Sequence, residues 1–170
     1  MNGVPKPHWT TRIARADDLP AMVRLQVETW RAEYAGWLEP DFLDGRFEQH
    51  CRERLGGMLA NSDRFCRTLV AERAAGYCGF VAFGAAHRRA AEIFSMSVAP
   101  DERGRGLGEL LLAGARAELA AQGLAPVHVC VLEQNIRAQA FYRRLGAIEE
   151  RRADFALNGR RLREIVYRSS

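Results

Sequence analysis

The spacing of apolar residues changes several times along the chain, and each change marks an element. Ile13 anchors a short strand over Thr11 to Arg15. Leu19, Met22, Val23, Leu25 and Trp30 then recur at helical spacing. Ala16-Asp17-Asp18 opens this helix, with Asp17 as its cap and the acids at the positive end of the dipole. Glu39-Pro40-Asp41 interrupts the pattern and starts a second helix through Phe42, Leu43, Phe47 and Leu55 toward Leu59.

The middle of the chain reads as strands. Arg67 to Ala71 and Tyr77 to Ala85 flank the turn Arg73-Ala74-Ala75-Gly76. His87-Arg88-Arg89 connects to a third strand, Ala91 to Val98, which Pro100 ends. Helical spacing returns with Leu107, Leu110, Leu111, Ala115 and Leu119, and Gly123 is the C-terminal cap. Val127 to Leu132 is a short buried strand, and Asn135 to Leu145 a helix closed by Gly146. Two last strands, Ala147 to Arg152 and Arg161 to Arg168, flank Asn158-Gly159, a strong hairpin dipeptide. The order is strand, two helices, three strands, helix, strand, helix, two strands. It predicts an α/β fold with a mixed central sheet of six to seven strands and about four helices. Residues 1–9 read as a flexible N-terminus and 10–170 as one domain.

Composition narrows the function classes. The chain has 170 residues, 48% hydrophobic and 27% charged, which suits a globular domain with its own core. No apolar run approaches the roughly 20 residues of a membrane span. Met1 to Thr10 is polar and lacks the apolar stretch of a signal peptide, so a cytoplasmic location is expected. The net charge is +4, and the segment from Arg143 onward accounts for it, with eight arginines against four acids. There the basic residues alternate with apolar ones, as on solvated strand faces, so nucleic-acid binding is not expected. Cys51, Cys66, Cys78 and Cys130 fit neither a disulfide framework nor a zinc site, and no histidine pair has metal-ligand spacing. No metal is expected. Cys66, Cys78 and Cys130 lie in apolar strand segments and read as small core residues.

Arg103-Gly104-Arg105-Gly106-Leu107-Gly108 stands between a strand and a helix. A helix N-terminus offers unpaired N–H groups and a positive dipole end. Glycines at 104, 106 and 108 let an anion approach the backbone, and Arg103 and Arg105 add charge. The turn reads as a pyrophosphate cradle. It lacks the Gly-Lys-Ser/Thr ending of a Walker loop. Glu109 breaks the dinucleotide pattern Gly-x-Gly-x-x-Gly, and Gln122-Gly123-Leu124 stands where that fold expects an acid. Arg/Gln-x-x-Gly-x-Gly is met by Arg103, Gly106 and Gly108.

Met96-Ser97-Val98-Ala99-Pro100-Asp101-Glu102 and the glycine turn together resemble motif A of the GNAT superfamily of N-acetyltransferases. Asn135-x-x-Ala138-x-x-Phe141-Tyr142-x-x-Leu145-Gly146 resembles its motif B. The resemblance runs from about Thr10 to the end and implies a sheet splayed at a bulge, with coenzyme A in the gap. By this likeness, backbone groups of Met96, Ser97 and Val98 pair with the pantetheine arm. N–H groups of Gly104, Arg105, Gly106, Leu107 and Gly108 take the pyrophosphate, Asn135 and Ala138 also contact the cofactor, and Tyr142 approaches the sulfur. The implied activity is direct acetyl transfer from acetyl-CoA to a primary amine in a ternary complex.

Such chemistry needs a base for the ammonium, a donor for the oxyanion and an acid for the thiolate. Tyr142 is the candidate acid, since phenol and thiol pKa values are close. Glu92 opens the central strand in an otherwise apolar stretch; it resembles the family position where a glutamate acts directly or through water, and is the candidate base. His128 is a weaker second base, and Cys130 lacks a placed base for covalent catalysis. Trp30, Tyr34 and Trp37 around Gly36 suggest an aromatic wall for the acceptor, and Glu28, Glu33, Glu39 and Asp41 could attract a cationic amine. The acceptor class remains open between small-molecule amines and peptide or protein N-termini. Dimers are frequent in this family, and the last strands could carry the contact in a homodimer. Two rival readings are a non-catalytic acyl-CoA-binding or regulatory module, and an acyltransferase with a different acyl chain or acceptor.

Overall fold

The computed structural model describes residues 8–61, 66–74, 76–86, 90–157 and 159–169. His87-Arg88-Arg89, Ala75, Asn158 and most of the expected flexible N-terminus lie outside the described residues. Among the described residues the chain forms seven strands and four α-helices. The strands are β1 (Thr10–Ile13), β2 (Cys66–Arg73), β3 (Gly76–Ala85), β4 (Ala91–Val98), β5 (Val127–Leu132), β6 (Ile148–Leu157) and β7 (Arg160–Ser169). The helices are α1 (Leu19–Tyr34), α2 (Phe47–Ala60), α3 (Leu107–Ala121) and α4 (Ile136–Arg144).

The strands make one sheet in the order β1-β2-β3-β4-β5-β7-β6. Neighbours are antiparallel except β4 and β5, which are parallel. β3 is buried almost end to end because helices cover both faces of the sheet. On one face Leu107, Leu111, Ala115 and Leu119 of α3 pack with Val81, Ile93 and Val129. On the other, Met22 and Val23 of α1 and Phe47 and Leu55 of α2 pack with Val70 and Phe80. Burial of this kind stabilises by about 1.5–3 kcal/mol per large side chain.

Local details depart from the sequence reading in physical ways. Asp17 is exposed; Asp18 is the engaged acid, accepting from the Arg15 N–H at 2.7 Å and pairing with both Arg12 terminal nitrogens at 2.8 Å. A π-helical turn, Phe42–Arg46, precedes α2. The Gly123 cap forms as expected, with φ at 69° and bonds from Gly123 N to Ala120 O and Leu124 N to Leu119 O. Of the cysteines read as core, Cys78 is buried, Cys66 is half-buried and Cys130 is exposed. Val127, Val129 and Val131 face α3, whereas Cys130 faces the opposite side, where β4 draws away. No helix among the described residues is long and apolar enough to cross a membrane.

Candidate active site

β4 and β5 pair only at Ala91–Val127, Glu92–His128 and Ile93–Val129. The cause is visible in the β3–β4 register: Ala82 opposes Ser95 and Phe83 opposes Ile93, so Phe94 is an extra residue on β4. Such a bulge bends its strand and ends regular pairing. Beyond Ile93, β4 keeps β3 on one side and opens on the other to a cavity of about 660 Å³. Residues from α1, β4, β5, α4 and the glycine turn line it, with Arg54 of α2.

The turn's backbone explains two of its glycines. Gly104 and Gly106 have φ of 72° and 97°, in the left-handed region, and a Cβ on either would meet no protein atom within 4 Å. Gly106 caps α3, so the N–H groups of Gly106, Leu107, Gly108 and Glu109 precede the helix's first acceptor. Gly108 has a different reason: a Cβ there would stand 3.2 Å from the Phe141 ring. All three glycines line the cavity. Leu107 does not; its side chain is fully buried in the core and only its backbone belongs to the turn. Arg105 also stays out of the lining, 3.9 Å from Glu102.

Arg103 lines the cavity, with Nε donating to Val98 O at 3.2 Å and Nη1 to Glu33 at 3.0 Å. Arg137 of α4 binds the same Glu33 oxygen. Glu33 therefore joins α1, α4 and the turn across the mouth of the cavity. Asn135 caps α4, its Oδ1 accepting from Ala138 N at 2.9 Å, while its Nδ2 donates to Tyr34 Oη at 2.9 Å. The amide retains one lone pair and one N–H for a ligand.

Met96, Ser97, Val98, Ala138 and Tyr142 all line the cavity. Ser97 is buried and lies 3.3 Å from the Thr29 hydroxyl, which donates to Gln26 O. Tyr142 is 5% exposed, and burial raises its pKa above the usual phenol range; it stays protonated at neutral pH but stands further from a thiol's pKa than the unperturbed phenol does. Glu92 sits two residues before the bulge and is half-buried, outside the lining. Burial first, then Glu164, raises its carboxyl pKa; Arg54, His128 and Arg151 oppose this. His128 lies 3.1 Å from Glu150. Cys130 lines the cavity, and its thiol is pushed up to about 12 by desolvation and by Glu164 and Glu92, so it is a poor nucleophile.

Of the aromatic residues expected to wall an acceptor, Trp30 and Tyr34 line the cavity with ring centroids 4.6 Å apart. Trp37 does not; it is 55% exposed outside. Of the nearby acids, Glu33 holds two arginines and Glu39 lies 3.5 Å from Arg160. Sequence reasoning missed Arg54, Arg137 and Glu102. Glu102 is 1% exposed beneath the turn, held by the Trp9 indole N–H at 3.1 Å and by Arg73 at 2.6 Å. No local pattern signals these pairings, since the partners lie far apart in sequence.

A profile of the acetyltransferase (GNAT) family matches residues 20–147. Solved structures agree in fold. A PaiA N-acetyltransferase from Thermoplasma acidophilum, in complex with coenzyme A, superposes with a TM-score of 0.77 at 19% identity, covering 92% of this chain and 98% of that one. A GCN5-related N-acetyltransferase from Rhodopseudomonas palustris gives 0.79 at 17% identity, over 99% of both chains. The ribosomal-protein-S18-alanine N-acetyltransferase from Escherichia coli gives 0.68 at 19%, over 95% and 92%. No curated protein matches the sequence significantly.

Proposed function

Because the chain belongs to the acetyltransferase (GNAT) family, we propose that it moves an acetyl group from acetyl-CoA to a primary amine, directly within a ternary complex. One observation carries this reading. The left-handed glycine turn at the head of α3, the open edge of β4 and the buried Tyr142 hydroxyl-bearing ring all border one cavity.

The cavity's construction fits coenzyme A. The N–H groups from Gly104 to Gly108, at the head of α3, suit a pyrophosphate, and the space beside Gly104 and Gly106 is where a Cβ would intrude. The edge formed by Met96, Ser97 and Val98 offers an extended arm the unpaired backbone groups of a strand. Acetyl-CoA supplies the activated acetyl thioester. Glu92 takes the amine's proton by way of solvent, since it stands behind the lining, and its raised pKa makes it a stronger base than an ordinary carboxylate. A backbone N–H at the bulge donates to the oxygen on which charge develops. As the N–C bond forms and the C–S bond breaks, Tyr142 gives its proton to the leaving sulfur. Trp30 and Tyr34 form the wall that the acceptor passes. β6 ends the sheet, with Ile148 exposed, and offers the edge for a homodimer.

The test is thiol release from acetyl-CoA with a panel of small amines, amino acids and peptides with free N-termini. Turnover with at least one amine is expected. Normal binding of coenzyme A with no turnover on any of them would overturn the proposal in favour of a non-catalytic acyl-CoA binder.

A further inference from the structure

We infer that Arg54 is a carboxylate anchor for the acceptor, and that the acceptor is an α-amino acid. The inference rests on the acetyl-transfer reading above and adds its substrate class.

Four arginines line the cavity: Arg54, Arg103, Arg137 and Arg144. Three have carboxylate partners. Arg103 and Arg137 share Glu33, and Arg144 lies 2.7 Å from Glu109. These three belong to the glycine turn and α4, the cofactor end. Arg54 comes from α2 on the opposite face of the sheet and has no ion pair with any described residue. Its one hydrogen bond to a described residue runs from Nη2 to the carbonyl of Phe94, at 2.6 Å. That bond holds the guanidinium at the bulge where β4 and β5 part, and its other N–H groups bond to no described residue.

The surroundings suit a small polar ligand. Gln26, Thr29 and Ser95 line the same cavity, with the Ser95 hydroxyl donating to Gln26 Oε1 at 3.2 Å. Glu92 acts on Arg54 through its field without reaching ion-pair distance, and the Arg54 side chain stays exposed to solvent at the cavity wall. The lining carboxylates, Glu33 and Glu109, are both engaged by arginines. A guanidinium that lines a cleft without an ion pair to any described residue can receive a carboxylate, because its planar fork matches both oxygens. The amine must also arrive at the bulge to meet the acetyl group. A ligand whose amine and carboxylate flank a single carbon meets both demands, with its side chain toward Trp30 and Leu132.

The experiment compares L-methionine, L-phenylalanine and L-glutamate with their α-amides, alongside butylamine and 1,4-diaminobutane, as acetyl acceptors. At least one amino acid is expected to exceed its amide in kcat/KM by about 10-fold or more, the scale of a lost charge-assisted hydrogen bond. Arg54→Gln should collapse that ratio toward 1, chiefly through the KM of the acid, and Arg54→Lys should restore part of it. Calorimetric binding of the same acids and amides to the coenzyme A-loaded protein runs in parallel. Amines that turn over with no preference for the acid, or an Arg54→Gln effect equal on acid and amide, would sink the anchor and leave acetyl transfer standing. Arg54-dependent binding of the acid with no turnover on any amine would do the reverse. Faster turnover of the diamine than of every amino acid also overturns the assignment.

Discussion

Replacing Gly106 by alanine separates two costs that a motif match merges. Gly106 has φ of 97°, and an added Cβ meets no protein atom within 4 Å. The methyl group therefore brings no clash in the free protein, only the strain of a left-handed L-residue, roughly 1–2 kcal/mol. For a domain of this size that lowers Tm by about 2–8 °C. The empty space beside Gly106 is also where a pyrophosphate would approach the N–H groups of α3. Displacing it from one charge-assisted hydrogen bond weakens coenzyme A binding by about 1.5–3 kcal/mol, or about 10- to 150-fold. Gly123→Ala is the control, because Gly123 has φ of 69° and equally open surroundings at the far end of α3. Thermal melting and calorimetric titration with coenzyme A measure both effects. The two variants should lose similar Tm, and only Gly106→Ala should lose affinity. Equal coenzyme A affinity in both variants refutes the cradle.

Three further outcomes follow from the geometry. Tyr142→Phe should reduce kcat by about 100-fold with little change in coenzyme A affinity, and stopped-assay turnover at wild-type levels removes Tyr142 from the acid role. Wild-type kcat/KM should fall on the acid side through a pKa above the usual carboxylate value, because burial and Glu164 raise that of Glu92; Glu92→Gln should abolish this limb, and its persistence assigns the base elsewhere. Asp18 is lowered first by its hydrogen bonds to Arg12, so its contribution is present above the ordinary carboxylate pKa and is lost as pH falls through the folded-state value. Asp18→Asn should therefore cost about 2 kcal/mol at pH 7, read as Tm, and the gap to wild type should close toward strongly acidic pH.

Among the described residues, apolar spacing located the helices and the central strands, because burial there writes its period into the residues. β4 and β5 were bounded to the residue, as Pro100 and the short valine run leave little choice. The strand ends at β6 were not, since most of that strand is exposed and its residues carry no period. The site was legible where backbone geometry demanded a residue type, at Gly104 and Gly106. It was not legible where function depends on which charges meet. Whether Arg103 faces solvent, an anion or Glu33 depends on the distance between α1 and the turn. Cys130 shows the same limit: its apolar neighbours are buried by α3, but its own face lost its cover when Phe94 pushed β4 aside.

The short seam between β4 and β5 also predicts how the sheet breathes. Three residue pairs hold the β1–β4 portion to the β5–β7–β6 portion. Amide hydrogens on the open edge beyond Ile93 have no sheet partner to shield them and should exchange with solvent early, while those of β3 should exchange last. A ligand laid along that edge would slow this exchange strand-locally, so deuterium uptake over residues 94–98 gives a reading of occupancy that needs no turnover at all.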